Sequence, residues 1–297
     1  MKRLILILFA AAAMAQNAAK KVYISVDMEG ISGVANDALV SSAGAEYERG
    51  RKLMAADANA AIRGAFAGGA REIVVNDSHG SHTNLRVEDL VAPARLITDT
   101  FKRSGMMEGL DESFDAVLFI GYHAKAGSTR GFFAHTGDAN VKDLQIGGQS
   151  VGESGMNALL AAWYGVPVVL ITGDDVAVAQ YKEMAPDVRS VVVKRAINTR
   201  SGELRSLEEV HNEIETAARD VVVAAHKREP ARPSSVRVSL RFRDTLTPEL
   251  AEILPTMERP APDTIAFTTD SMPRAYSLIR LLYRWINPPP PRPGYDY

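Results

Sequence analysis

The chain has no cysteine among its 297 residues. That excludes disulfides, thiolate metal sites, iron–sulfur clusters and a cysteine nucleophile together. Any metal site must be built from His, Asp and Glu. Basic charge is not in excess: 34 Lys and Arg stand against 36 Asp and Glu, a formal net charge of −2. Nothing there neutralises a phosphate backbone, so nucleic acid is not the expected partner. There is no G-x-x-x-x-G-K-[ST] loop, no G-x-G-x-x-G loop and no internal repeat, which removes the two common phosphate cradles and the repeat architectures. No apolar run reaches the roughly 20 residues of a membrane-spanning helix. What remains is 46% hydrophobic and 24% charged. That is ordinary globular composition, and it suits one large domain or two modest ones.

The first residues read as an address. Lys2 and Arg3 precede an apolar run over residues 4–13, and Ala13-Met14-Ala15 is a small-x-small cleavage pattern. Residues 1–15 are therefore expected to be a secretory signal peptide. The expected product is exported, periplasmic or secreted, with no membrane anchor after cleavage. A lipoprotein anchor would need the missing cysteine.

The mature chain alternates strand and helix signals. Residues 21–27 (KVYISVD) form a short β-branched run that reads as a buried strand. Tyr47, Met54, Ala58, Ile62 and Ala65 recur at helical spacing, predicting a helix over 46–66 that stops at Gly68-Gly69. Strands are expected at 72–76, 116–121 and 191–194, a turn plus a strand over 165–172, and helices at 151–164 and 176–184. Leu207, Val210, Ile214, Ala217 and Val221 predict a long amphipathic helix. This order predicts an α/β fold, a mostly parallel sheet with helices on both faces, over residues 21–229. After Pro230, Pro233 and Ser234-Ser235, an alternating strand (236–242), a strand at 264–267 and a helix at 273–286 predict a smaller α+β lobe over 235–287. Residues 288–297 hold five prolines and cannot join a helix or sheet interior. They are expected to be a disordered tail.

Parallel sheets bind ligands at the carboxyl ends of their strands. Three successive strands here end in metal-type side chains. The first ends in Asp27-Met28-Glu29, where residues two apart face the same way. The second ends in Asp77-Ser78-His79, and the third in Gly121-Tyr122-His123. One such residue is often a turn former or a cap; three strands converging read as a metal site or as a structural polar cluster. Glu153 opens a predicted helix, where a carboxylate is favourable in any case. His135 lies between Gly131 and Gly137 and reads either as an acid, base or orienting group or as a surface imidazole. His82 is expected to be solvated, and His211 and His226 exposed. Asp174 and Asp175 are expected to cap the following helix.

These residues resemble a known family. Ser25-Val26-Asp27-Met28-Glu29-Gly30-Ile31-Ser32-Gly33 is similar to the opening motif of the DppA-type D-aminopeptidases, zinc-dependent D-stereospecific peptidases. So are Tyr47-Glu48-Arg49-Gly50-Arg51, Asn76-Asp77-Ser78-His79, Met107-Glu108-Gly109-Leu110, Gly121-Tyr122-His123-Ala124, Gly152-Glu153-Ser154-Gly155-Met156-Asn157 and Gly173-Asp174-Asp175. The resemblance runs from about residue 21 to 284. It implies two zinc ions per subunit held by Asp27, Glu29, His79, His123 and Glu153, with Asp27 bridging. It implies that His135 is catalytic. It also implies a short peptide substrate and a ring-shaped homo-oligomer, decameric in the family.

The residue types suit that chemistry. Two histidines and three carboxylates make a nitrogen/oxygen site fit for zinc. A metal brings the pKa of a bound water from 15.7 to roughly 7 and so makes a nucleophile for an amide carbonyl. Asp77 is a candidate partner for a ligating histidine. Two other readings stand beside this one. Another dinuclear metallohydrolase, an amidase or phosphoesterase, could use the same scaffold, with Lys125 and Arg130 as its phosphate clamp. A non-catalytic exported binding protein would be expected to have lost a ligand, and no ligand is lost.

Overall fold

The computed structural model describes residues 20–286. The expected signal segment 1–15 and tail 288–297 lie outside those residues. The main sheet has seven strands: β1 (Lys20–Val26), β2 (Ala70–Asp77), β3 (Arg95–Ile97), β4 (Ala116–Tyr122), β7 (Val168–Asp174), β8 (Arg189–Ala196) and β9 (Gly202–Leu204). Their spatial order is β3-β2-β1-β4-β7-β8-β9. Every pairing is parallel except β8 with β9. The helices are α1 (Asp37–Val40), α2 (Tyr47–Ala67), α3 (Glu153–Trp163), α4 (Asp175–Met184), α5 (Leu207–Ala224), α6 (Leu246–Ala251) and α7 (Met272–Arg280). Among the described residues, no helix is long and apolar enough to cross a membrane.

Strand alternation feeds two cores. Val22, Ile24 and Val26 join Val75, Leu118 and Ile120 under α2 and α5. Tyr23, Val74, Val117 and Phe119 point the other way, toward Met156 and Leu160 of α3 and Tyr276 and Ile279 of α7. Fully burying each such side chain stabilises the fold by about 1.5–3 kcal/mol. The sheet therefore lies between helical layers, as the sequence predicts, and its central strand ends are held on both faces.

The second sheet differs from the expected lobe. It has five strands in the order β11-β12-β10-β5-β6, with neighbours antiparallel: β5 (Val141–Ile146), β6 (Gln149–Ser150), β10 (Val236–Phe242), β11 (Glu258–Ala261) and β12 (Thr264–Thr269). Two of these strands precede Pro230, so a division of the chain at 229–235 does not follow the sheets. Val238 pairs with Ile146 and Leu240 with Leu144. Only that distant partner completes the apolar face of β5.

Candidate metal centre

Parallel pairing of β2, β1 and β4 brings their carboxyl ends to one edge. The Asp27 amide donates to Ile120 O (2.8 Å), and the Gly30 amide to Gly121 O (2.8 Å). Gly121 has φ +75°, and a Cβ there would lie 2.4 Å from Asp27 O. Only glycine permits that approach, and it sets Asp27 and Glu29 against the end of β4.

The six singled-out residues form one cluster. His79 Nδ1 lies 2.9 Å from Glu29 Oε2 and 3.5 Å from Asp27 Oδ1. His123 Nε2 lies 3.3 Å from both Asp27 Oδ2 and Glu153 Oε2. His135 stacks on His123, ring centroids 4.0 Å apart, with Nε2 3.7 Å from Glu153 Oε1. Asp27 thus faces both strand-end histidines, one oxygen to each. The ligand atoms of Asp27, Glu29 and His123 lie within 4.8 Å of one another, as do those of His123, His135 and Glu153.

Backbone carbonyls fix the tautomers. His79 Nε2 donates to Val40 O (2.9 Å), His123 Nδ1 to Ala124 O (3.0 Å) and His135 Nδ1 to Phe133 O (2.9 Å). A carbonyl only accepts, so each ring turns its other nitrogen, with a lone pair, toward the carboxylates. Lone pair against carboxylate needs a proton or a cation between them. Asp27 Oδ2 and His123 Nε2 are buried without hydrogen-bond partners, and they face each other across this gap. The donor set and its orphaned atoms fit a divalent metal.

The same crowding moves the protonation equilibria of the metal-free cluster. Burial, then the neighbouring Glu29, pushes Asp27 up to about 8. Burial opposes ionisation of Glu153, but His123 outweighs it and brings the carboxyl to about 2. Burial would lower both histidines; Glu29 and Asp27 outweigh it at His79, and Glu153 and Asp27 at His123, so both rise well above the usual imidazole value. A metal must displace those protons. Metal loading at pH 7 should therefore release protons, and affinity should rise as pH climbs toward about 8, where Asp27 ionises. Calorimetry in two buffers of different ionisation heat checks this; a heat independent of buffer contradicts it.

The supporting groups are mostly ones that sequence reading passes over. Lys194, fully buried on β8, donates from Nζ to Glu29 O (2.5 Å), Ile31 O (3.1 Å) and Val34 O (2.8 Å). It clamps the loop that carries Glu29. Asp77 touches no imidazole ring, against expectation. Its carboxylate accepts the Asn84 and Leu85 amides (2.5 and 2.7 Å) and Asn84 Nδ2 (2.8 Å). Asn84 Nδ2 also donates to His79 O (2.7 Å), while Tyr47 Oη donates to Asn84 Oδ1 (2.6 Å) and Arg51 Nε to Asn84 O (2.5 Å). Asp77 therefore shapes the His79 loop through its backbone. Asp174 is the predicted cap, accepting from the Val176 and Ala177 amides. Glu153 does open α3, but its carboxylate turns to the cluster and to the Gly137 amide (2.6 Å).

Three further expectations change. His82 is 3% exposed. Burial, with Lys102, Arg280 and Arg284 nearby, drives its pKa down to about 2, because its loop folds beneath the end of α7. His211 is half-buried and lies 3.0 Å from the buried carboxylate of Asp57, which also takes the Ser32 hydroxyl (2.5 Å). His226 is exposed, as expected. Lys125 binds Ser150, and Arg130 binds Ala196 O and Asp175; neither turns to the metal cluster. The arginines that line the cleft above the cluster are Arg280 and Arg284. Their helix shows only core periodicity in the sequence.

Known proteins share this arrangement of chain. A family model for D-aminopeptidases matches residues 20–281. A D-aminopeptidase from Bacillus subtilis is 37% identical over 264 residues, 88% of this chain and 96% of that protein. The solved structure of the zinc-dependent D-aminopeptidase DppA from Bacillus subtilis, described as a self-compartmentalizing protease, superposes with a TM-score of 0.85. That match has 34% identity and covers 90% of this chain and 97% of the other. A family match spanning nearly all the described residues, together with a relative this similar over most of both lengths, makes the chain a member of the D-aminopeptidase family of hydrolases.

Proposed function

We propose that the protein is an exported, zinc-dependent aminopeptidase that removes the N-terminal residue of short D-amino-acid peptides. The observation that carries this reading is the histidine set: three imidazoles spend one N–H on a backbone carbonyl and turn the other ring nitrogen to buried carboxylates. Zinc suits these nitrogen and oxygen donors, and the superposable relative is zinc-dependent. Asp27, Glu29, His79, His123 and Glu153 would hold two ions per chain. Bound zinc supplies Lewis acidity toward the scissile carbonyl and lowers the pKa of water.

The chain's own residues do the rest. His135 presents Nε2 as its free proton site, since Nδ1–H is held by Phe133 O. That nitrogen takes the proton lost by the attacking water and gives it to the leaving amine as the C–N bond breaks. Phe133 has φ +51°, a strained value for a bulky residue. Its carbonyl is the one that orients His135.

Export rests on residues 1–15. N-terminal sequencing of protein recovered from its host should start at Gln16, and a start at Met1 would overturn this part. Export makes peptides from cell-wall turnover the natural substrates. A ring-shaped homo-oligomer, a decamer, is proposed from the self-compartmentalizing relative and the sequence resemblance. The activity is tested with zinc-loaded protein against D-Ala-D-Ala, L-Ala-L-Ala and p-nitrophenyl phosphate. Turnover of the first alone is expected; turnover of the phosphate ester alone would sink the peptidase reading.

A further inference from the structure

The cleft over the cluster is acidic on one wall and basic on the other. Its lining passes from Asp27, Glu29 and Glu153 to Arg280 and Arg284. Its volume is about 90 Å³, far below the roughly 300–1,000 Å³ of pockets for drug-sized ligands.

Arg280 closes α7 and is 3% exposed. A buried guanidinium ordinarily needs a carboxylate or a full set of acceptors. Arg280 has neither. Nη1 reaches Tyr283 Oη at 3.4 Å and Nη2 reaches Lys102 O at 3.3 Å, both long, while Nε is buried with no partner. Arg284 Nη2 donates to Gly80 O (3.0 Å). Among the described residues the hydrogen-bond partners of the two arginines include no carboxylate, although Glu153 across the cleft acts on Arg280 electrostatically. After Arg280 the backbone widens into a π-turn, Leu281–Trp285, which carries Arg284. Such turns are rare and are frequent at functional sites. This one brings Arg280, Tyr283 and Arg284 to one wall of the cleft.

A short peptide is positive at its amino end and negative at its carboxyl end. The arginine wall is complementary to the carboxyl end. We propose that Arg280 and Arg284 are the subsite for the α-carboxylate of the substrate's C-terminal residue, which makes the enzyme selective for dipeptides and similarly short free-acid peptides. The proposal rests on the peptidase reading above and names the half of the substrate that reading leaves unassigned. A carboxylate at this wall supplies the acceptor that Arg280 Nε lacks. Arg–carboxylate pairs are also among the stronger and more directional hydrogen bonds.

The test compares D-Ala-D-Ala, its C-terminal amide and D-alanine p-nitroanilide as substrates of the zinc-loaded full chain. The free acid should exceed the amide by about 10–100-fold in kcat/KM, mostly through KM. Arg280 is buried and its variants can fail to fold, so the decisive variants are at Arg284. Arg284→Gln should shrink the acid-to-amide ratio by about tenfold, and Arg284→Glu should bring it below one. A merely structural arginine would not reverse that ratio. Wild-type enzyme that hydrolyses the p-nitroanilide but treats acid and amide alike overturns the subsite and leaves the peptidase reading intact. Unchanged acid preference in Arg284→Glu overturns it equally. Absence of turnover on all three D-alanine substrates overturns the peptidase reading, and the subsite with it.

Discussion

Asp27→Ala should abolish metal retention and turnover together. Asp27 alone among the three carboxylates faces both strand-end histidines, Oδ1 at 3.5 Å from His79 and Oδ2 at 3.3 Å from His123. Glu29 pairs with His79, and Glu153 lies against His123 and His135. Removing Asp27 leaves the two halves of the cluster without their shared oxygen donor. Metal electrostatics supply several kcal/mol to such reactions, so kcat/KM should fall by about 10³-fold or more. Elemental analysis after zinc loading is the direct readout, and a full metal complement in the variant would falsify the site as drawn. Asp27→Asn keeps the shape and separates charge from packing. Its effect on the metal-free fold should be opposite in sign. Burial and Glu29 raise the folded pKa of Asp27 to about 8, above the unfolded value of about 3.9. The folded state thus penalises the carboxylate increasingly as pH rises from the unfolded pKa toward the folded one. Metal-free Asp27→Asn at pH 7 should therefore melt no lower than metal-free wild type, while losing metal and activity.

His135→Ala should separate chemistry from metal binding. The ring is 30% exposed, stacks on His123, and holds Nε2 3.7 Å from Glu153 Oε1. Its Nδ1–H is committed to the carbonyl of Phe133, whose own ring is held by Phe132 at 4.6 Å and by the Arg200 guanidinium at 5.4 Å. That is the support expected for a proton carrier in fixed orientation. Loss of such a group costs about 10²–10⁴-fold in turnover. Zinc content and KM should stay close to wild type. A change in kcat of less than about twofold would make His135 a bystander. Loss of zinc along with activity would make it a ligand, an arrangement its distance to Glu153 also permits.

The central strands were legible because each is a short apolar run whose two faces are both buried. Val22, Ile24 and Val26 serve one core and Tyr23 the other, and that pattern needs no partner to be recognised. Asp27, Glu29, His79 and His123 were legible because strand ends in a parallel sheet share an edge; Glu153 and His135 were singled out by the family resemblance. Other features depend on distant chain. β5 alternates weakly, and its role appears only when Leu144 meets Leu240. β3 is three residues long at an edge, too short to leave a period. His82 sits in a Ser/Gly/Thr loop that reads as solvated, yet Arg284 pins that loop through Gly80 O. Lys194 ends a strand-like run of valines, and its three carbonyl partners lie more than 150 positions away. Arg280 and Arg284 carry helical spacing like any core-facing helix. The π-turn that turns them into the cleft has no local sequence signature.

The spread of the cluster along the chain bears on folding kinetics. Its side chains come from positions 27 to 153 and meet only when β2, β1 and β4 are in parallel register. Parallel pairing is reached through long crossovers, whose closure entropy must be met before the contacts reward it. A cation therefore encounters a finished sheet edge and has nothing to nucleate. Binding to the completed fold leaves the rate of folding unchanged and slows unfolding. Zinc in the surroundings should lengthen the life of each folded molecule without hastening its formation.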